Sequence, residues 1–363
     1  MVYREDAGSI LVEMITFITF NGGGVKASIK NLGRFYDDAR HLPIDNFMVD
    51  YLEDPSFWNN WPHPIVLCGG WDDRFDIIVD ALSCPIFVYW HTNILGSELS
   101  WGHTVGDGGQ GSSRMGADFG VELLQLNHIK TLLDNGSIRG IFVPAEKTAQ
   151  ALDFVEHLPN LFDVGWVDIN PARKIPNSIG CFVAHVPWKN LCSQAVAVQK
   201  SGKDLYLNGG IKRRKRRPHE ELSVPYLTAF ECLGIQPRFL YLGAHQSDTT
   251  PYWRAVCSMT LTLQVTCTET LNYAALESIA CGTPVLVSPM CPIANMDEEF
   301  KKMCCVEEID NPQEITNQIH RVTRNEFNSE RAVLAGRRAI EAYQKKNMPI
   351  ADRSIQKIRA AFT

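Results

Sequence analysis

Short apolar runs alternate with helical or polar stretches along most of this 363-residue chain, and no other feature restricts its fold as much. The first series is ILVEMITFITF (10–20), HPIVLCGG (63–70), DIIVDAL (76–82), PIFVYWHTN (85–93) and RGIFVPA (139–145). Between the first two runs, NGGG (21–24) reads as a tight turn. VKASIKNLGRFYDDA (25–39) follows as an amphipathic helix with Val25, Ile29, Leu32 and Phe35 on one side. Strand-length apolar runs separated by helical stretches are the mark of a parallel sheet with covering helices. The pattern pauses at DINPARKIPNS (168–178), where two prolines and several polar residues predict a linker. It then restarts: strands IGCFVAHV, DLYLNGG, RFLYLG, MTLTLQVT and PVLVSP, with helices between them from Trp188 to about Lys200 and over EELSVPYLTAFECLG and TPYWRAVCS. The expectation is an α/β protein of two open sheets in series, over 1–172 and 173–340, with a helix over 341–363 free to pack back on the first domain. The segment WGHTVGDGGQGSSRMGADFG (101–120) is too rich in glycine for regular structure and is expected to be a mobile loop.

Composition excludes several classes. Hydrophobic residues make up 45% and charged residues 21%, as in a folded, water-soluble protein and unlike a disordered one. The formal net charge of −6 rules out a general polyanion binder, so nucleic-acid affinity would need a local patch. No run approaches the ~18 apolar residues that span a bilayer. ILVEMITFITF is broken by Glu13, lacks a basic leader and a cleavage site, and reads as a strand instead of a signal peptide. The 11 cysteines are scattered, and Cys68, Cys84, Cys181, Cys257 and Cys281 sit inside apolar runs, as expected in a reducing, cytoplasmic setting. Cys304 and Cys305 are adjacent, and no Cys/His ligand spacing suggests a metal.

The second half holds the densest chemistry. In TETLNYAALESIACGTPVLVS (268–288) a strand ends near Cys267, the chain turns at Thr268–Glu269, and a helix starts near Asn272. A helix start offers unpaired N–H groups and partial positive charge, suited to phosphate. Glu269 falls in the turn, and Glu277 falls two turns on among small residues (Ala274, Ala275, Ala280) that allow close packing on a sheet. Gly282 caps the helix and Pro284 stops it. Spacing alone favours a surface carboxylate on an ordinary capped helix.

The stretch acidic-x7-acidic followed by ALESIACGTPVLVS resembles the nucleotide-sugar signature of glycosyltransferase family 4 and its GT-B relatives. HVPWKNLCSQAVAV (185–198) resembles the family's loop in which a lysine meets the donor diphosphate, and Lys189 occupies that place. DLYLNGG, RFLYLGAHQSDTTPYWRAV and the glycine loop FITFNGGGVKASIKNL (17–32) are similar in the expected order. The resemblance is dense over 180–290 and thin over 40–170. It implies a GT-B fold with an N-terminal acceptor domain, a C-terminal nucleotide-sugar domain and an interdomain cleft. It also implies retaining transfer from a UDP- or GDP-linked sugar with neither metal nor other cofactor. By it, Lys189 offsets charge on the leaving diphosphate, Glu269 orients the sugar and Glu277 holds the ribose. Gly23, Gly24, Gly210, Leu271, Asn272 and Tyr273 are implied to line the donor, and His91 to face the sugar. A histidine at a strand end is otherwise a structural residue. The family's arginine before the lysine is replaced by Ala184, His185, Val186 and Pro187, so His185, Arg213 or Arg214 would have to substitute.

Lys212, Arg213, Arg214, Lys215, Arg216 and Arg217 form six consecutive cations directly after the strand DLYLNGG. They read either as a solvated loop or as phosphate contacts, for a donor diphosphate or a polyanionic acceptor such as DNA. The reading is therefore a nucleotide-sugar glycosyltransferase of unidentified acceptor. Its rivals are a transferase acting on a modified DNA base and a catalytically inactive GT-B module that binds a partner.

Overall fold

The computed structural model describes residues 14–19, 23–71, 73–91, 113–167, 173–183, 189–208, 224–240, 250–267 and 269–361. They fall into two compact units, one drawn from Met1–Thr92, Gln125–Pro159 and Pro349–Thr363, the other from Asn93–Leu124 and Asn160–Met348.

The first unit is a six-stranded parallel sheet of β1 (Ile15–Thr19), β2 (Ala39–Pro43), β3 (Ile65–Gly69), β4 (Ile86–Trp90), β5 (Gly140–Val143) and β6 (Glu156–His157), in the order β2-β1-β3-β4-β5-β6. Every residue of β1, β3, β4 and β5 is buried. Strands covered on both faces need continuous apolar runs instead of alternation, which is what these four supply. The edge strand β2, ARHLP, buries only Leu42 and gave no apolar signal. The helices are α1 (Gly23–Phe35), α2 (Ile44–Glu53), α3 (Pro55–Asn59), α4 (Asp73–Ala81), α5 (Ser113–Asp134), of which the residues from Gln125 belong to this unit, and α6 (Glu146–Ala151).

Two expectations are corrected here. DIIVDAL forms α4 and not a strand: Phe75, Ile78, Val79 and Leu82 are buried while Ile77 is 47% exposed, a helical period that a count of apolar residues does not reveal. The glycine-rich 101–120 segment is helical from Ser113 onward. Gly116 and Gly120 are accommodated inside α5, each at a cost of about 1 kcal/mol relative to alanine. Residues 101–112 lie outside the described residues.

The second unit is a five-stranded parallel sheet of β7 (Ser178–Cys181), β8 (Asp204–Asn208), β9 (Arg238–Leu240), β10 (Leu261–Gln264) and β11 (Val285–Val287), in the order β11-β10-β7-β8-β9. Its helices are α7 (Leu191–Lys200), α8 (Val224–Cys232), α9 (Thr250–Ser258), α10 (Tyr273–Ala280), α11 (Glu298–Cys304), α12 (Pro312–Val322) and α13 (Glu326–Ala360). The chain builds β7, β8 and β9 outward in one direction and then returns to place β10 on the other side of β7. In open parallel sheets such a reversal point, beyond the carboxyl ends of the strands, is where ligands bind.

The last residues of α13 belong to the first unit. There the Arg359 guanidinium grips Asp38 through two hydrogen bonds of 2.7 and 2.6 Å, and the Tyr36 hydroxyl donates to Asp352 at 2.8 Å. Ser354 donates to the His157 carbonyl at 2.9 Å, and Lys357 pairs with Glu156. Among the described residues no helix is long and apolar enough to cross a membrane.

Candidate functional site

At the reversal point of the second sheet, two loops are tied into one structure. Asn190 adopts a left-handed conformation (φ 52°), which asparagine tolerates better than most residues. Its side chain does not cap α7. The amide donates instead to the Val265 carbonyl at 3.2 Å and the Ile309 carbonyl at 2.6 Å. Gln194, fully buried on α7, donates to the Lys189 carbonyl at 2.7 Å and accepts from the Val265 N–H at 3.1 Å. Both side chains thus join the loop after β7 to the end of β10.

The outcome is a contact between residues 80 apart in sequence: the Lys189 ammonium donates to Glu269 Oε1 as an ion pair, with the two side chains only 22% and 11% exposed. Asn272 donates to the same carboxylate oxygen at 3.3 Å, and its own Oδ1 caps α10 by accepting from the Ala275 N–H at 3.2 Å. Side-chain capping of this kind contributes about 1 kcal/mol. Asn160 and Tyr273 brace the turn from another segment, through Thr270 Oγ1 at 3.4 Å and the Leu161 carbonyl at 3.0 Å. An ammonium has three donors, and Lys189 makes one side-chain hydrogen bond among the described residues, so it can serve a second anion while keeping Glu269.

The structure therefore brings Lys189, Glu269 and Asn272 together, with Leu271 and Tyr273 buried behind them. Glu277 is half-buried further along α10 and is hydrogen-bonded to Tyr252 of α9. Burial first, then the Glu277 charge, raise the pKa of that phenol. Gly282 (φ 71°) ends the helix region. On the far side of α10, Ile279 fits under Gly336 of α13, where an added Cβ would meet Ile279 Cδ1 at 2.8 Å.

In the first unit, Gly23 and Gly24 open α1. His91 follows β4 directly, its N–H donating to the Gly69 carbonyl at 3.3 Å and its ring edge-on to Tyr89 at 4.2 Å. Its Nε2 is sealed from solvent with no partner among the described residues, and burial pushes the imidazole pKa down to about 3. It is a neutral ring in the physiological range. Gly210, His185 and the cation run Lys212–Arg217 lie outside the described residues. Sequence reasoning missed Asn190, Gln194 and Tyr252. A lone glutamine in the apolar run LCSQAVAV was the available signal for Gln194; Tyr252 offered none.

No family model and no curated protein sequence matches the chain. Solved structures do. A sucrose-phosphate synthase (tll1590) from Thermosynechococcus elongatus is similar over 97% of this chain and 99% of its own, with a TM-score of 0.63 and 14% identity. Anabaena Alr3699/HepE, solved with UDP and glucose, is similar over 96% and 100%, with a TM-score of 0.63 and 14% identity. A trehalose-6-phosphate synthase, studied for glycosyltransfer with retention, is similar over 92% and 82%, with a TM-score of 0.54 and 11% identity. At these identities the likeness is one of fold: the chain has the GT-B fold, with two parallel α/β units each built on its own sheet.

Proposed function

We propose that the protein transfers a sugar from a nucleotide-diphosphate donor to an acceptor, with retention of anomeric configuration. The observation that carries this reading is the Lys189–Glu269 pair, assembled at the reversal point of a parallel sheet beside the start of α10. When the bond from the sugar's anomeric carbon to the diphosphate oxygen breaks, its electron pair leaves with the diphosphate. Lys189 and the positive end of α10 then stabilise the growing charge, which is the kind of preorganised electrostatics that dominates catalysis. In this assignment Lys189 holds the diphosphate, Glu269 orients the sugar while keeping the ammonium in place, and Glu277 accepts from the ribose hydroxyls. Leu271, Asn272 and Tyr273 border the donor at the start of α10. The positive charge comes from the protein, so the scheme assigns no metal.

UDP and UDP-glucose are the first probes, because similar folds are solved with UDP and UDP-glucose. Thermal unfolding of the purified chain with UDP, GDP and their sugars tests the reading. A donor at ~100-fold over its dissociation constant should add about 2.7 kcal/mol of stability. Absence of stabilisation by every nucleotide diphosphate at millimolar concentration would remove the assignment.

A further inference from the structure

Trp71 is fixed, backbone and ring, at the surface of the first unit. Of the tryptophans whose side chains are described, Trp58, Trp61, Trp90 and Trp253 are buried, and Trp71 alone is not. It stands two residues beyond β3, at the carboxyl end of a central strand, where parallel sheets take ligands. The Gln125 amide holds its backbone on both sides, accepting from the Trp71 N–H at 3.2 Å and donating to the Trp71 carbonyl at 3.2 Å. The indole N–H donates to Asp76 Oδ2 at 3.2 Å, and the other oxygen of that carboxylate lies 2.7 Å from His128 Nε2. Gln125 and His128 are three residues apart on α5, so one face of that helix supplies both. All four residues belong to the first unit.

The chemistry of this group narrows what it can bind. An indole fixed before a ligand arrives removes an ordering cost that binding would otherwise carry. The Asp76 carboxylate beside Nε2 places the imidazole proton there, so in the neutral ring Nδ1 is an acceptor. Nδ1 has no partner among the described residues, and the His128 side chain is 44% exposed. Both Asp76 oxygens already face a protein donor, and a phosphate or carboxylate finds no cation in the group. What is left for a ligand is an apolar ring and one acceptor that calls for an O–H or N–H. A pyranose offers both partners, a C–H face for the indole and hydroxyls around its edge for the imidazole. A flat nucleobase would gain most from a second ring parallel to the first, whereas His128 and Phe75 meet the indole edge-on, at 69° and 75°.

We infer that Trp71 and His128 form a binding site for a neutral saccharide, with Asp76 and Gln125 positioning them. The binding stands without the transfer reaction; that the bound sugar is the acceptor rests on the function proposed above.

The test applies the full chain, without nucleotide, to an array of neutral and anionic oligosaccharides. Calorimetry then measures the strongest neutral binder against the wild type and three variants. Trp71→Ala should weaken it about tenfold or more, and His128→Ala about two- to tenfold. Trp71→Phe should keep most of the affinity, because an aromatic surface remains when the indole N–H is gone. His128→Ala changes an exposed side chain and carries the test if urea unfolding shows that Trp71→Ala is not folded. Transfer from a nucleotide sugar to the bound saccharide makes it the acceptor. Saccharide binding by a chain that no nucleotide stabilises would sink the transfer reading and leave this site standing. Three results overturn the inference: no neutral saccharide is held, both alanine variants bind as the wild type does, or uridine or an anionic glycan binds more tightly at these residues.

Discussion

The turn into α10 and the entry to α1 follow one plan, a buried parallel strand leading into a helix at the carboxyl end of a sheet, but their titratable groups are handled differently. In the second unit Lys189 is matched by Glu269, and Asn272 fixes that carboxylate in turn. In the first unit burial, and then the nearby charges of Lys26 and Lys30, keep His41 neutral. A matched lysine keeps its position without a ligand, which suits a site where charge must be stabilised as it develops.

The comparison can be broken at several points, and the largest effect belongs to the matched side. Lys189→Ala should lower the transfer rate roughly 10²–10³-fold, as removal of one preorganised donor does elsewhere. Single-turnover kinetics at saturating donor would read it, and an unchanged rate would deprive the ion pair of its catalytic meaning. Next, Glu277→Ala should weaken UDP binding by roughly 1.5–3 kcal/mol in calorimetry, since a charged acceptor is lost. Tyr252→Phe should cost only about 1 kcal/mol, because the phenol orients Glu277 without touching the nucleotide. Equal losses would mean that Glu277 serves the fold alone.

Gly336→Ala should destabilise the protein by about 1–3 kcal/mol in urea unfolding, because the new methyl group overlaps Ile279 and pushes on the helix that carries Glu277. A neutral result would show that the packing behind α10 yields freely. The smallest effect at neutral pH concerns the first unit. Folded His91 and His41 titrate at about 3 and about 4, below the ~6.5 of an unfolded histidine. The unfolded chain therefore binds more protons in this window. Stability should be complete above pH ~6.5 and decline as pH falls toward those values. His41→Asn should flatten part of that decline; an unaltered profile would place the His41 ring in solvent.

Legibility in the sequence followed burial. The strands β3, β4 and β5 are sealed on both faces, so their composition announces them, and α10 is announced by its small residues, by Asn272 before it and by Gly282 after it. Edge strand β2 is half solvated and polar, and α4 was hidden because the residues 76–82 resemble a strand until burial is known. Lys189 and Glu269 were singled out through resemblance, while their contact is a product of topology, since only the reversal between β7 and β10 makes neighbours of the two loops. Asn190 and Gln194 enforce that contact through backbone groups, which no spacing of side chains can report.

The closing stretch of α13 has a consequence for biosynthesis. Asp38 waits for Arg359 across 321 residues, Tyr36 for Asp352 across 316, and Glu156 for Lys357 across 201. A ribosome adding roughly 5–20 residues each second needs between about a quarter of a minute and a minute to cover the longest of these intervals. The half of the molecule that is translated first is therefore among the last to be finished.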